Sequence, residues 1–193
     1  MIRTALVALL FSALSTASAS AAESRIFTAF KTYCADTDAR PDAVKAAVDK
    51  AGDALTLKKP EKTADGESPW RWSITVDGGK LTLISGRAKQ SPKDPIPTMA
   101  VENCTLLQNQ SDNGADAAIA AWSGLKPFHL DEYADVKTSH YRYARGAAGF
   151  SPLADDPVAI NAALAAGGLW ELDLAEGKDL SIIQFRHFIG SGK

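Results

Sequence analysis

Cys34 and Cys104 are the only cysteines in a chain of 193 residues. The first ends a short amphipathic segment, Ile26-Phe27-Thr28-Ala29-Phe30-Lys31-Thr32-Tyr33-Cys34. There Ile26, Phe30, Tyr33 and Cys34 share one helical face, which points the thiol at a core. The second sits in the extended run from Met99 to Leu107. The chain also opens with what reads as an export signal. An even cysteine count in an oxidising compartment is most simply a disulfide. Closing a loop of about 70 residues would contribute about 4 kcal/mol in the chain-entropy account, less any strain. That one bond would tie an N-terminal helix to a strand far along the chain.

The export reading rests on Met1-Ile2-Arg3-Thr4, an apolar run from Ala5 to Leu14, and two A-x-A patterns, Ala17-Ser18-Ala19 and Ala19-Ser20-Ala21. The order of charge, apolar run and small residues is that of a secretory signal peptide. The run is shorter than the roughly 20 residues a bilayer span requires. The sequence therefore predicts a signal peptide over residues 1–21 and a single domain over 22–193, periplasmic or secreted, with no membrane span. The formal net charge is −2, and loss of Arg3 makes the mature chain one unit more negative. Phosphate binding needs concentrated Lys and Arg, so nucleic acid is not expected as a partner. The local basic groups, Lys58, Lys59 and Lys62 and then Arg87, Lys89 and Lys93, lie in Pro-bearing stretches that read as loops.

Along the mature chain the patterning predicts a helix over about Glu23–Cys34 and another over Pro41–Ala51 that stops at Gly52. A short strand follows near Leu55. Trp70 to Val76 alternates strictly, Asp77-Gly78-Gly79-Lys80 turns, and Leu81–Ser85 returns as a hairpin. The Cys104 strand comes next, then a helix capped by Ser111 or Asp112 and ending near Leu125. Phe128–Thr138 is ambiguous. Ser139–Arg145 reads as a strand, Asp156-Pro157 opens a helix, and Trp170–Leu174 and Leu180–Phe188 form a closing hairpin. The expected class is α+β: an antiparallel sheet of hairpins packed by about four short helices, with one disulfide. Trp72 to Ile84 can be laid on Trp170 to Ile183 with one extra residue, Asp179. Two readings fit: a duplicated helix-plus-hairpin unit giving two similar halves, or two hairpins that merely share a Gly-Lys turn.

An early helix ending in Cys and a later Cys-bearing strand, on an exported chain of this size, resemble small uncharacterised exported proteins of Gram-negative bacteria. The resemblance covers most of the mature chain. It implies no activity and transfers no functional residue.

Most motifs that carry chemistry are absent from the sequence. No G-x-S-x-G elbow occurs, since Gly149-Phe150-Ser151-Pro152-Leu153 fails at its last position. The three histidines, His129, His140 and His187, lack the spacing of a helical metal pair, and there is no C-x-x-C. No metal site and no cofactor is expected. Asp36, Asp38 and Asp42 lack the glycine and terminal Glu of a calcium loop, and Gly146–Gly149 lacks the P-loop lysine. What remains is a candidate catalytic set in an expected loop, His129, Asp131 and Glu132, with His140 on a nearby strand. A solvated polar loop is its plain reading. Glu171 and Asp173 fit the polar face of a strand. Among the aromatics, Trp70, Tyr141 and Tyr143, with Phe150, are candidates for a groove that binds a glycan or peptide, against a plain reading as core. The sequence thus points first to an exported non-enzymatic domain that binds a protein or a cell-envelope component. The alternative is a small periplasmic hydrolase built on His129, Asp131 and Glu132, and the third reading is a structural accessory protein. A deep cleft holding His129 and His140 beside Asp131 would favour catalysis.

Overall fold

The computed structural model describes residues 24–63, 66–89, 100–112, 114–133, 135–146 and 149–190. The expected signal peptide lies outside them, as do Pro92, Lys93, Pro95 and Pro97. Helix α1, Arg25–Phe30, starts under a Ser24 cap whose side chain accepts a bond from the Phe27 amide, and it continues into a π turn over Lys31–Ala35. That wider turn keeps Tyr33, Cys34 and Ala35 all facing inward. Helix α2, Pro41–Ala51, has Pro at its first position and ends on Gly52 at φ 78°, a left-handed closure that glycine adopts without strain. Helix α3 is Ala115–Ser123 and α4 is Pro157–Ala165, the latter capped by Asp156 onto the Ala159 amide. Asp112 does not cap α3 directly. Its carboxylate accepts from the Gly114 and Ile26 amides and so joins the starts of α3 and α1. No helix among the described residues is long and apolar enough to cross a membrane.

The strands among the described residues are β1 Leu55–Lys58, β2 Lys62–Thr63, β3 Gly66–Glu67, β4 Trp70–Val76, β5 Gly79–Ala88 and β6 Ala100–Gln108. They continue with β7 His129–Tyr133, β8 Val136–Gly146, β9 Gly149–Pro152, β10 Leu169–Gly177 and β11 Leu180–Ile189. All belong to one antiparallel sheet whose long path is β1-β4-β5-β6-β11-β10-β8-β7. The class is α+β. Each half of that path is a four-strand meander read from edge to centre, β1-β4-β5-β6 and β7-β8-β10-β11, and the two inner strands pair antiparallel. A two-fold axis through the sheet between β6 and β11 relates the strand orders.

Two halves therefore exist, but not as the matched hairpins imply. The axis places β8–β10, not β10–β11, at the positions of β4–β5. Moreover β1, β2 and β3 separate α2 from β4, whereas α4 leads straight into β10. The likeness of residues 72–84 to 170–183 therefore does not mark the units that the strand order relates.

Strict alternation decides the two faces. Trp72, Ile74, Leu81, Leu83, Leu106, Leu172, Leu174, Ile183 and Phe185 point to the core face, which α1, its π turn, α2 and α3 cover. Cys34 and Cys104 meet there, with Cα atoms 5.4 Å apart and a disulfide between them. Phe30 packs edge-on against Phe185 and Trp122, at ring separations of 5.5 and 5.2 Å. On the opposite face, α4 lays Leu164 and Ala163 over Leu169 and Phe188 as a second, smaller core.

Candidate functional site

Where α4 ends, the opposite face of the sheet is polar, and strand register determines which groups meet. His140 on β8 lies across from His129 on β7 and Asp173 on β10. Arg142 lies across from Glu171, which in turn lies across from Arg186 on β11. Arg142 Nε donates to Glu171 Oε1 at 2.7 Å and Nη1 to Asp155 Oδ1 at 2.6 Å. Arg186 Nη2 is 3.1 Å from Glu171 Oε2 and also donates to Asp173. His140 Nδ1 stands 2.8 Å from Asp173 Oδ1, and its Nε2 3.1 Å from Asp131 Oδ2. His129 Nε2 completes the chain, 2.9 Å from Asp131 Oδ1. One ladder of alternating carboxylates and basic side chains thus runs from Asp155 to His129.

His129, Asp131 and Glu132, expected in a loop, form the edge strand β7. All five of its residues are exposed, so the apolar alternation that marks a strand is missing. Glu132 falls on the other side of the strand from Asp131 and outside the ladder. His129, Asp131 and His140 do converge, with ring centroids of the histidines 5.8 Å apart. Both nitrogens of His140 face carboxylate oxygens, and only the doubly protonated ring donates to both. The Asp131 carboxyl is pushed up by desolvation, but the hydrogen bonds from His140 and His129 and their charge outweigh this and hold it below the usual aspartate range. With both nitrogens committed to Asp131 and Asp173, His140 offers a substrate no free ring nitrogen. No group of three metal-ligating side chains forms among the described residues.

His187 lies elsewhere, against the buried Glu102. Its Nδ1 is 3.3 Å from Glu102 Oε2, its Nε2 3.3 Å from the Gly167 carbonyl, and its ring stacks on Trp170 at 4.3 Å. Arg87 donates to the other oxygen of Glu102. Glu102 is only 3% exposed. Burial alone would raise its carboxyl, yet the bonds from His187 and Arg87 leave it below the ordinary glutamate range. A depressed folded-state value contributes stability that is present above the ordinary glutamate pKa, about 4.3, and is lost as pH falls through the folded value. We therefore expect the midpoint of thermal unfolding to drop on acidification below about pH 4.3. Glu102→Gln should cost about 1–3 kcal/mol at neutral pH and flatten that acid limb. An unchanged acid limb in the variant would assign the effect to other carboxylates.

Tyr141 and Tyr143, candidates for a binding groove, are core residues at 1% exposure. Tyr141 Oη donates to Asp116 at 2.6 Å; burial first, then Asp116, pushes its phenol up. Tyr143 packs between Phe150 and Phe185, and burial raises its phenol as well. Alternation alone says that two tyrosines share a face, not which face the helices cover.

Trp70 keeps a partly open position. Its ring stacks on Trp72 at 5.3 Å, with Lys45 Nζ 5.7 Å from the ring. It lines a cleft of about 520 Å³ between the start of α2 and the strands β3, β4 and β5. Pro41 and Asp42 come from α2, Lys59 and Pro60 from the segment after β1, and Glu67 from β3. Ser68, and Ser85, Gly86 and Arg87 of β5, complete the lining. No side chain caps the first turn of α2, whose positive end carries the Asp42 carboxylate in its own first turn. Ser85 is fully buried and its hydroxyl has no hydrogen-bond partner among the described residues. Nothing in the sequence pattern united these residues; the cleft exists because β2 and β3 fold back on the end of β5.

Fold and geometry together define a disulfide-linked α+β domain with a mixed-charge cleft beside a half-buried tryptophan. Comparison with protein-family models, with curated proteins and with solved structures gave no match.

Proposed function

We propose that this chain is an exported, non-enzymatic binding domain that takes a component of the cell envelope in the Trp70 cleft. The signal-like N-terminus and the disulfide support the compartment. The observation that carries the binding role is the cleft lining: cations Lys59 and Arg87 and anions Asp42 and Glu67 surround the apolar surfaces of Trp70, Pro41 and Pro60. Polar groups of both signs around an aromatic floor suit a short peptide segment bearing both an amino and a carboxylate group. Titration of the mature protein with a tripeptide such as Ala-Ala-Ala, whose only charges are its two termini, should change tryptophan fluorescence saturably. The N-acetylated, C-amidated form should bind at least about tenfold more weakly, each lost charge-assisted bond being worth about 1.5–3 kcal/mol. Trp70→Ala should abolish binding, read by calorimetry of the same titration, while the fold persists. Equal responses to both peptides would remove this ligand class.

A hydrolytic role is the second reading, favoured by the Asp173–His140–Asp131–His129 chain. It requires turnover of an ester or amide that disappears in His140→Gln.

A further inference from the structure

A second cleft, of about 510 Å³, opens at the other end of β5 from Trp70. Its volume falls in the range of small-molecule sites, about 300–1,000 Å³. Arg25, the first residue of α1, lines it together with the Asp77–Lys80 turn between β4 and β5. Gln108, the last residue of β6, and the two side-chain amides that follow it, Asn109 and Gln110, complete the lining. Two polar groups here are orphaned. Gln108 is 5% exposed, and its Oε1 accepts no hydrogen bond among the described residues. It lies in the same alternating row as Cys104 and Leu106, so its side chain turns to the face that α1 covers. Arg25 Nε is buried and donates to nothing among the described residues. The guanidinium lies against Gly79, in space that a Cβ at that position would fill.

The chemistry of the lining restricts what could meet these groups. Arg25, Lys80 and Asp77 have no ion-pair partner among the described residues, and together they leave one positive charge. Asp112, close by, is committed to the Ile26 and Gly114 amides. A net anion therefore suits the cleft better than a zwitterion or a cation. Gln108 Oε1 and the Asp77 carboxylate are acceptors, and they need a hydroxyl or an N–H that a bare carboxylate does not carry. Asn109 and Gln110 each present a donor and an acceptor, the pairing that neighbouring hydroxyls satisfy. One carboxylate for the cations and several hydroxyls for the amides is the pattern of a sugar acid. None of the lining residues is aromatic, so no ring stacking adds to the affinity and binding is weak.

We propose that this second cleft binds a hexuronate, its carboxylate on Arg25 and Lys80 and its hydroxyls on Gln108 and Asp77. This goes beyond the peptide-binding role and does not depend on it, since the two clefts lie at opposite ends of β5.

The side-chain NMR signals of Arg25 Nε–H and of the Gln108 amide, in the mature oxidised protein, test this. Glucuronate should shift both saturably in the millimolar range. Glucose, which lacks the carboxylate, and acetate, which lacks the hydroxyls, should each bind at least about tenfold more weakly. Gly79→Ala keeps every charge but displaces the guanidinium, and Arg25→Gln removes the charge. Each should weaken glucuronate binding about tenfold, with the thermal midpoint and the tripeptide titration of the Trp70 cleft unaltered. The methyl glycoside of glucuronate distinguishes the sources: binding equal to the free acid assigns the end unit of a polysaccharide, and weaker binding assigns the free acid. No shift at millimolar glucuronate would overturn the proposal. So would acetate, glucose or alanine binding as tightly as glucuronate, or binding indifferent to both variants. The tripeptide titration reports separately, so failure here and failure of the peptide-binding role are distinguishable.

Discussion

Replacing Cys34 and Cys104 together by alanine is expected to lower the unfolding free energy by about 2–5 kcal/mol, the range for a native bridge of this loop length. The bond links the π turn after α1 to the centre of β6, a strand flanked by β5 and β11. Without it α1 is held by the packing of Ile26, Phe27, Ala29 and Phe30 and by the Ile26 amide bond to Asp112, and an element near the start of the domain frays first. Denaturant melts of the oxidised protein and the double variant give the difference directly. Hydrogen exchange should show α1 losing protection before the strands do. A loss below about 1 kcal/mol would mean that the aromatic packing of Phe30 on Phe185 and Trp122 secures the helix unaided.

Glu171→Ala should cost a comparable amount, about 3–5 kcal/mol, because it strands two guanidinium groups beside a buried site. Glu171 is 7% exposed, accepts from Arg142, and stands within ion-pair distance of Arg186. Asp155 holds the same Arg142 from the solvent side with its side chain 73% exposed. Asp155→Ala should therefore cost no more than about 1 kcal/mol, the worth of an exposed pair. The contrast separates burial from charge. If the two variants were equally mild, the ladder would be a surface ornament with no part in holding β8, β10 and β11 together.

The parts of this fold that were legible in the sequence are those written locally. Pro41 and Gly52 bracket α2, and Asp156-Pro157 opens α4, because caps act on the nearest turn. Trp70 to Val76 alternates because one of its faces is buried. The disulfide was legible because no other pairing exists. The parts that were not legible depend on register between distant strands. The pairing of β6 with β11 brings His187 to Glu102 across 85 positions, and that of β8 with β10 brings His140 to Asp173 across 33. β7 and β9 are short edge strands whose mostly exposed residues carry no buried period to read. The candidate site shows the same division. His129 and Asp131 were candidates from their adjacency in the chain, while His140, Arg142, Glu171 and Arg186 join them only through the sheet. Trp70 was recognised as a candidate from its chemistry; Asp42, Lys59, Glu67 and Arg87 come to it from four separate segments.

The central claim is that this domain binds at the Trp70 cleft rather than acting through the histidine ladder. Backbone and indole chemical shifts of the mature, oxidised protein, followed while the free-ended tripeptide is added, test it most directly. The account predicts saturable shifts at Asp42, Lys59, Glu67, Arg87 and the Trp70 indole, with the amides of His129, Asp131 and His140 unmoved. Shifts confined to β7 and the His140 region, or none anywhere at millimolar peptide, would contradict it.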